Sequence, residues 1–201
     1  MRSIAAVFSI LLLSLGLALS SGCGESAIDG HTRPTILSIN GGTPIVADVW
    51  VVDTTLVSGG GIPEELVPFV FTNPPSQKFL DLTPDDPYGI FILESYTVSY
   101  EVLHEFTGGG VFTPGTLPTI SVPCHLALPV GAQVETEFVL SPASLKMEFP
   151  VASILPGGTA PAGELIVKAE ITFTGHESGS DRSRTLSTAA TILFADYADE
   201  D

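Results

Sequence analysis

From Glu164 to Thr174 the chain reads ELIVKAEITFT, and its core-type side chains fall on every second residue. Leu165, Val167, Ala169, Ile171 and Phe173 share one side; Ile166, Lys168, Glu170 and Thr172 share the other. Successive side chains of a strand point to opposite faces, so this period of two predicts a strand with one buried face. The polar stretch GHESGSDRS then turns the chain. Arg184 to Phe194 returns with Leu186, Ala190, Ile192 and Phe194 on one face. Two such runs around a Gly-containing turn predict a long β-hairpin. A hairpin with one apolar face must bury it against a second layer, which commits the chain to a layered β fold.

The middle of the chain repeats the pattern. Tyr96, Val98, Tyr100 and Val102 alternate with Ser95, Thr97, Ser99 and Glu101 inside a strand predicted over Gly89 to Phe106. Shorter strands are predicted over Thr35 to Asn40, Leu66 to Thr72, Thr119 to Leu128 and Ala132 to Leu140, and a long one over Ile45 to Val57. Pro68 and Pro123 lie inside two of these runs, and proline in a strand argues for an edge or a bulge. Ser141 to Leu155 reads either as a strand or as one helical turn. The chain holds 20 Gly and 16 Pro, which punctuate the runs, while Asn occurs only at 40 and 73. Together these features give an all-β chain of about eight strands in two sheets. The pattern resembles the immunoglobulin-like domains of bacterial surface proteins, most closely over Glu164 to Tyr197. The Cys–Trp–Cys core signature of true immunoglobulin domains is missing, because Trp50 is not flanked by two cysteines within the domain.

The N-terminus has a different character. Met1-Arg2-Ser3 is basic, and Ile4 to Leu19 carries no charge. The run is shorter than the roughly 20 residues that span a bilayer core as a helix. A basic start, an apolar middle and small residues at the exit predict a secretory signal over residues 1–22. Ser21-Gly22-Cys23 resembles the end of a bacterial lipobox, with Ser20 where a Leu is usual. The resemblance implies lipid attachment at Cys23 and a membrane partner reached through that lipid. Gly24 follows the Cys, where an Asp commonly retains lipoproteins at the inner membrane, so the outer membrane is favoured. The competing exit, Ala18-x-Ser20, would leave Cys23 free to pair with Cys124 in an oxidising compartment. Residues 23–34 are polar and aperiodic and read as a flexible tether. The expected sandwich domain runs over 35–198, with an acidic tail at 199–201.

Charge excludes several partners. Lys and Arg number 7 against 23 Asp and Glu, a net charge of −16. Such a surface repels phosphate backbones, so no nucleic-acid partner is expected. The Gly-rich loops lack the Lys-Ser/Thr of a phosphate loop, so no nucleotide is expected either.

No catalytic constellation emerges. His104-Glu105 and His176-Glu177 each begin like a zinc-protease motif, but Gly108 and Ser180 stand where the second His is required. Ser178 has His176 where a nucleophile elbow needs Gly. Cys124-His125 lacks ligand spacing to His104 or His176, and Cys124 reads as a small buried hydrophobe. Calcium is the one cation with a candidate loop, because Asp81, Asp85 and Asp86 crowd a turn that could supply oxygens. Asp also initiates turns through local hydrogen bonds, and no other cofactor is expected.

The expectation is therefore an envelope-anchored, non-enzymatic binding or assembly module with an envelope protein as its partner. Its contact loops would be Gly59–Glu65, Pro74–Tyr88 and Gly108–Leu117, with Tyr88 and Phe112 as apolar contacts. The alternatives are a secreted calcium- or carbohydrate-binding sandwich, and a hydrolase whose site is built from distant loops.

Overall fold

Strands β1 (Thr35–Ile39), β3 (Glu65–Thr72) and β6 (Gln133–Ser141) form one sheet in the order β1-β3-β6. Strands β2 (Ile45–Asp48), β4 (Ile90–Phe106), β5 (Ile120–Pro129), β7 (Glu164–Glu177) and β8 (Ser183–Ala195) form the other, in the order β2-β8-β7-β4-β5. These strands belong to a computed structural model that describes residues 30–52, 60–180 and 183–197. The two sheets and eight strands match the expected all-β sandwich. The chain changes sheets early: β1 lies in one sheet, and its continuation β2 joins the other beside the last strand. β2 runs parallel to β8, whereas every other strand pair is antiparallel.

The switch between sheets happens at Asn40–Gly42. Asn40 takes a φ of +48°, and Gly41 and Gly42 take +60° and +83°. This left-handed backbone suits Gly and, among other residues, Asn. The Asn40 amide holds the turn by donating to the Pro44 carbonyl at 3.0 Å.

The predicted hairpin is present and longer than its sequence signal. Leu165, Val167, Ala169, Ile171 and Phe173 are fully buried, as the alternation requires. The core is aromatic at its centre. Phe173 of β7 meets Phe69 and Phe71 of β3 edge-on at 5.4 and 5.3 Å between ring centres, and Phe138 of β6 at 5.0 Å. Edge-to-face contacts at these separations add to the burial of each ring. Tyr96 and Tyr100 of β4 also cross the gap. Their hydroxyls donate to the carbonyls of Val139 and Leu140 on β6 at 3.0 and 2.7 Å.

Two sequence readings change, and an open one is decided. The long strand expected over Ile45 to Val57 is the short β2; residues 53–59 lie outside the described residues. The ambiguous stretch after Ser141 contains a helical turn, α1 (Ala143–Lys146), and a 3-10 turn at Val151–Ser153. Pro68 lies in the central strand of its sheet, not in an edge strand. It falls one residue beyond the last β1 pair, Ile39 with Phe69, so β3 has a local edge there. Pro123 does lie on an edge strand, β5, next to a register shift between Leu93 and Ser95 of β4.

The register gives the sandwich two ends. The proximal end, where the described chain enters, holds His31–Pro34, the loop 73–89 and the turn between β7 and β8. The distal end holds the segments after β2, β4 and β6 and the exit of β8.

Candidate functional site

A connected polar cluster lies at the proximal end. The inward parity of β7 continues past Phe173 to Gly175 and Glu177, so an acidic side chain ends an apolar face. Glu177 is buried at 1% exposure. Its carboxylate accepts from the backbone N–H of Thr32 at 2.9 Å, the Thr32 hydroxyl at 3.2 Å and the His31 N–H at 3.1 Å. The Arg184 guanidinium lies 3.6 Å from it and donates to the Thr32 carbonyl at 2.7 Å. Burial alone raises a carboxyl pKa. Here the Thr32 and His31 amides and the nearby Arg184 outweigh it, and Glu177 is held below its ordinary value.

This cluster is a latch on the incoming chain. Arg33 N–H donates to the Pro74 carbonyl, and Ser76 N–H donates to the His31 carbonyl, both within 2.9 Å. His31–Pro34, assigned from sequence to the tether, are thus held against the sandwich. The His31 ring packs on Phe79 at 4.5 Å and near Tyr88 at 6.1 Å. Close by, buried Asn73 donates to the Leu128 carbonyl at 2.7 Å and the Gly89 carbonyl at 3.3 Å, fastening the two sheets.

A second buried charge lies at the distal end. Lys146 of α1 is fully buried. Its ammonium donates to the carbonyls of Asp48 and Pro63 at 2.5 and 2.8 Å and to Glu65 at 3.1 Å. Burial pulls the lysine pKa down, while Glu65 opposes that shift. One side chain thereby ties the segment leaving β2 to the segment entering β3.

The sequence-derived candidates divide. Cys23 lies outside the described residues. Cys124 faces inward on β5 against the core, and burial pushes its thiol pKa up. Asp86 accepts from the Tyr88 N–H at 2.9 Å and caps the 3-10 turn Pro87–Gly89; Asp81 and Asp85 are exposed on the same loop. Among the described residues no three His, Cys, Asp or Glu side chains gather in a metal-holding group. His176 pairs with Glu94 at 3.2 Å on the outer face. Tyr88 is exposed, but Phe112 is not the contact expected of it: at 7% exposure it fills the core beneath its loop. The three expected contact loops do not share a surface. Pro74–Tyr88 lies at the proximal end, whereas the described part of Gly59–Glu65 and all of Gly108–Leu117 lie at the distal end. There Val51, Val52, Phe106, Val111, Met147 and Phe149 are exposed.

The sequence signal for the latch is strand parity, not the zinc-like His176-Glu177 dipeptide. Extending the alternation of β7 by three residues puts Glu177 inward, and the same parity on β8 puts Arg184 inward. That signal was in the sequence. In comparisons with known proteins, no family model and no curated protein sequence matches the chain.

Proposed function

We propose that this chain is an envelope-anchored lipoprotein whose β-sandwich is a non-enzymatic binding or assembly module. The observation that carries the reading is the separation of its two ends. A lipid on Cys23 would draw on the chain where His31 and Thr32 are latched to Glu177, at the proximal end. The exposed apolar side chains Val111, Met147 and Phe149 would then face away from the anchoring membrane. Exposed apolar groups gathered on one surface mark interaction sites. Acidic charge keeps the module off anionic headgroups, so membrane contact would come through the lipid alone.

The test is the intact mass of the mature protein from membrane and soluble fractions. A membrane-bound chain of residues 23–201 carrying acyl-glycerol is the expected result. A soluble chain beginning at Ser21 and lighter by the two hydrogens of a Cys23–Cys124 disulfide would overturn the anchor.

A further inference from the structure

β8 has two unequal edges. On one side it pairs with β7 from Ser183 to Ala195 without a register shift. On the other, β2 covers only Ile192 to Ala195. Among the described residues no strand pairs with that side over Ser183–Thr191. The Val49 N–H donates to the Ala195 carbonyl at 3.0 Å, so the backbone of Ala195 points to the β2 side. Peptide groups alternate in direction along a strand. The N–H and C=O groups of Thr185, Ser187, Ala189 and Thr191 therefore point into the uncovered edge.

That edge opens on a cleft. Across it runs β1, the outer strand of the other sheet, in the same direction as β8. One part of the cleft, about 500 Å³, lies between Ile36–Ile39 and Thr188–Thr191. A second part, about 370 Å³, continues it between Pro34–Ile36 and Thr185–Thr188. Ile36, Leu186 and Ala190, half-buried against the core, lie along it. At about 3.3 Å per residue, Thr185–Thr191 offers an edge roughly 20 Å long.

Natural edge strands are shielded by Pro, Lys, bulges or covering loops. Ser183–Thr191 contains no Pro or Lys, and its pairing has no bulge. Its one charge, Arg184, is engaged at the latch. The lining contains no Asp or Glu, and its single charge, Lys168, is paired with Glu170 at 2.6 Å. The chain as a whole is at −16, so a second copy is repelled and an acid-bearing strand is disfavoured.

We propose that this open β8 edge, with β1 facing it, is a strand-acceptor site for an extended segment of a partner protein that carries small apolar side chains at alternate positions and no Asp or Glu. Main-chain hydrogen bonds would supply affinity, and the Ile36–Leu186–Ala190 strip would select the alternate side chains. The proposal rests on the binding-module reading, and its test is independent of the lipid.

The probe is a fluorescent peptide of about nine residues, alternating Val and Thr with Lys at both ends, matched to the length of the edge. It is titrated against the full mature chain in detergent and followed by anisotropy. Saturable binding is expected, weakened about tenfold or more when alternate peptide nitrogens are methylated. Ala189→Pro should weaken binding equally, because it deletes an N–H aimed into the cleft and spares the bonds to β7. Should that variant fail to fold, the methylated peptide on the native chain still decides. Absence of saturation, or equal binding of the methylated peptide, overturns the site. A native dimer in sedimentation that Ala189→Pro dissociates also overturns it, because a second copy would then fill the edge. A chain without lipid that binds the peptide refutes the anchor alone; a lipidated chain that ignores the peptide refutes the acceptor site alone.

Discussion

The backbone N–H of Thr32 lies 2.9 Å from Oε1 of Glu177, across 145 residues of sequence. The contact fixes the entry of the described chain to the end of the central hairpin. It is a charge-assisted hydrogen bond in a buried setting, and such bonds are about twice as strong as neutral ones.

Replacement of Glu177 tests the latch. Glu177→Ala leaves two backbone donors and Arg184 without their shared acceptor, at a cost of about 2–4 kcal/mol. Glu177→Gln keeps one acceptor oxygen and should cost less. Chemical denaturation of both variants gives the order directly, and equal losses would show that the charge is irrelevant.

The same residue sets an acid dependence. The native carboxyl titrates below its ordinary value of 4.5, so its ionised form is favoured by folding. Its contribution is fully present above that value and is lost as pH falls through the lowered native pKa. The melting-temperature gap between the native chain and Glu177→Gln should narrow between neutral pH and about pH 3. A gap independent of pH would count against the assignment.

Tyr100 sets an alkaline dependence of opposite sign. Burial, and to a lesser degree Tyr96, raises its phenol pKa above 10.0, and its hydroxyl donates across the sandwich to Leu140. The neutral form is favoured by folding, so its contribution is present below pH 10 and declines as pH rises further. Tyr100→Phe should lower stability by about 1 kcal/mol at neutral pH. Burial raises the phenols of Tyr96 and Tyr197 as well, so ultraviolet titration should show several phenols ionising late in the native chain and one fewer in Tyr100→Phe.

Lys146 separates packing from charge at the distal end. Lys146→Ala opens a cavity and strands the carbonyls of Asp48 and Pro63, for a loss of about 3 kcal/mol. Lys146→Met fills most of the volume and should lose less, because the buried ammonium pays for its own desolvation. Thermal melts of the two variants decide; equal losses would mean that volume contributes nothing.

Phe173 is the centre of the aromatic core, touching Phe69, Phe71, Tyr96 and Phe138. Phe173→Ala should cost about 3–5 kcal/mol. Phe173→Leu should recover part of that loss by refilling the space. Urea unfolding of both variants is the measurement, and a loss below about 1 kcal/mol would remove Phe173 from the core.

The sequence by itself determined the strands with strict alternation, the hairpin of β7 and β8, and the two-layer architecture. Those signals are local: a period of two sorts side chains by face before any partner strand is known. Only the tertiary structure decided which strand meets which. Pro68 sits in a central strand because β1 ends one residue short of it. The chain runs as β1 in the other sheet up to the turn at Asn40–Gly42 and joins β8 only at Ile45, opposite Ile192, so among the described residues no strand covers the β8 edge over Ser183–Thr191. Phe112 turns inward, and the loops expected to act together lie at opposite ends. Glu177 shows both sides of the division. Its inward direction follows from the alternation of its own strand, but Thr32 and Arg184 reach it only through folding, because hydrogen bonds between distant segments leave no trace in local periodicity.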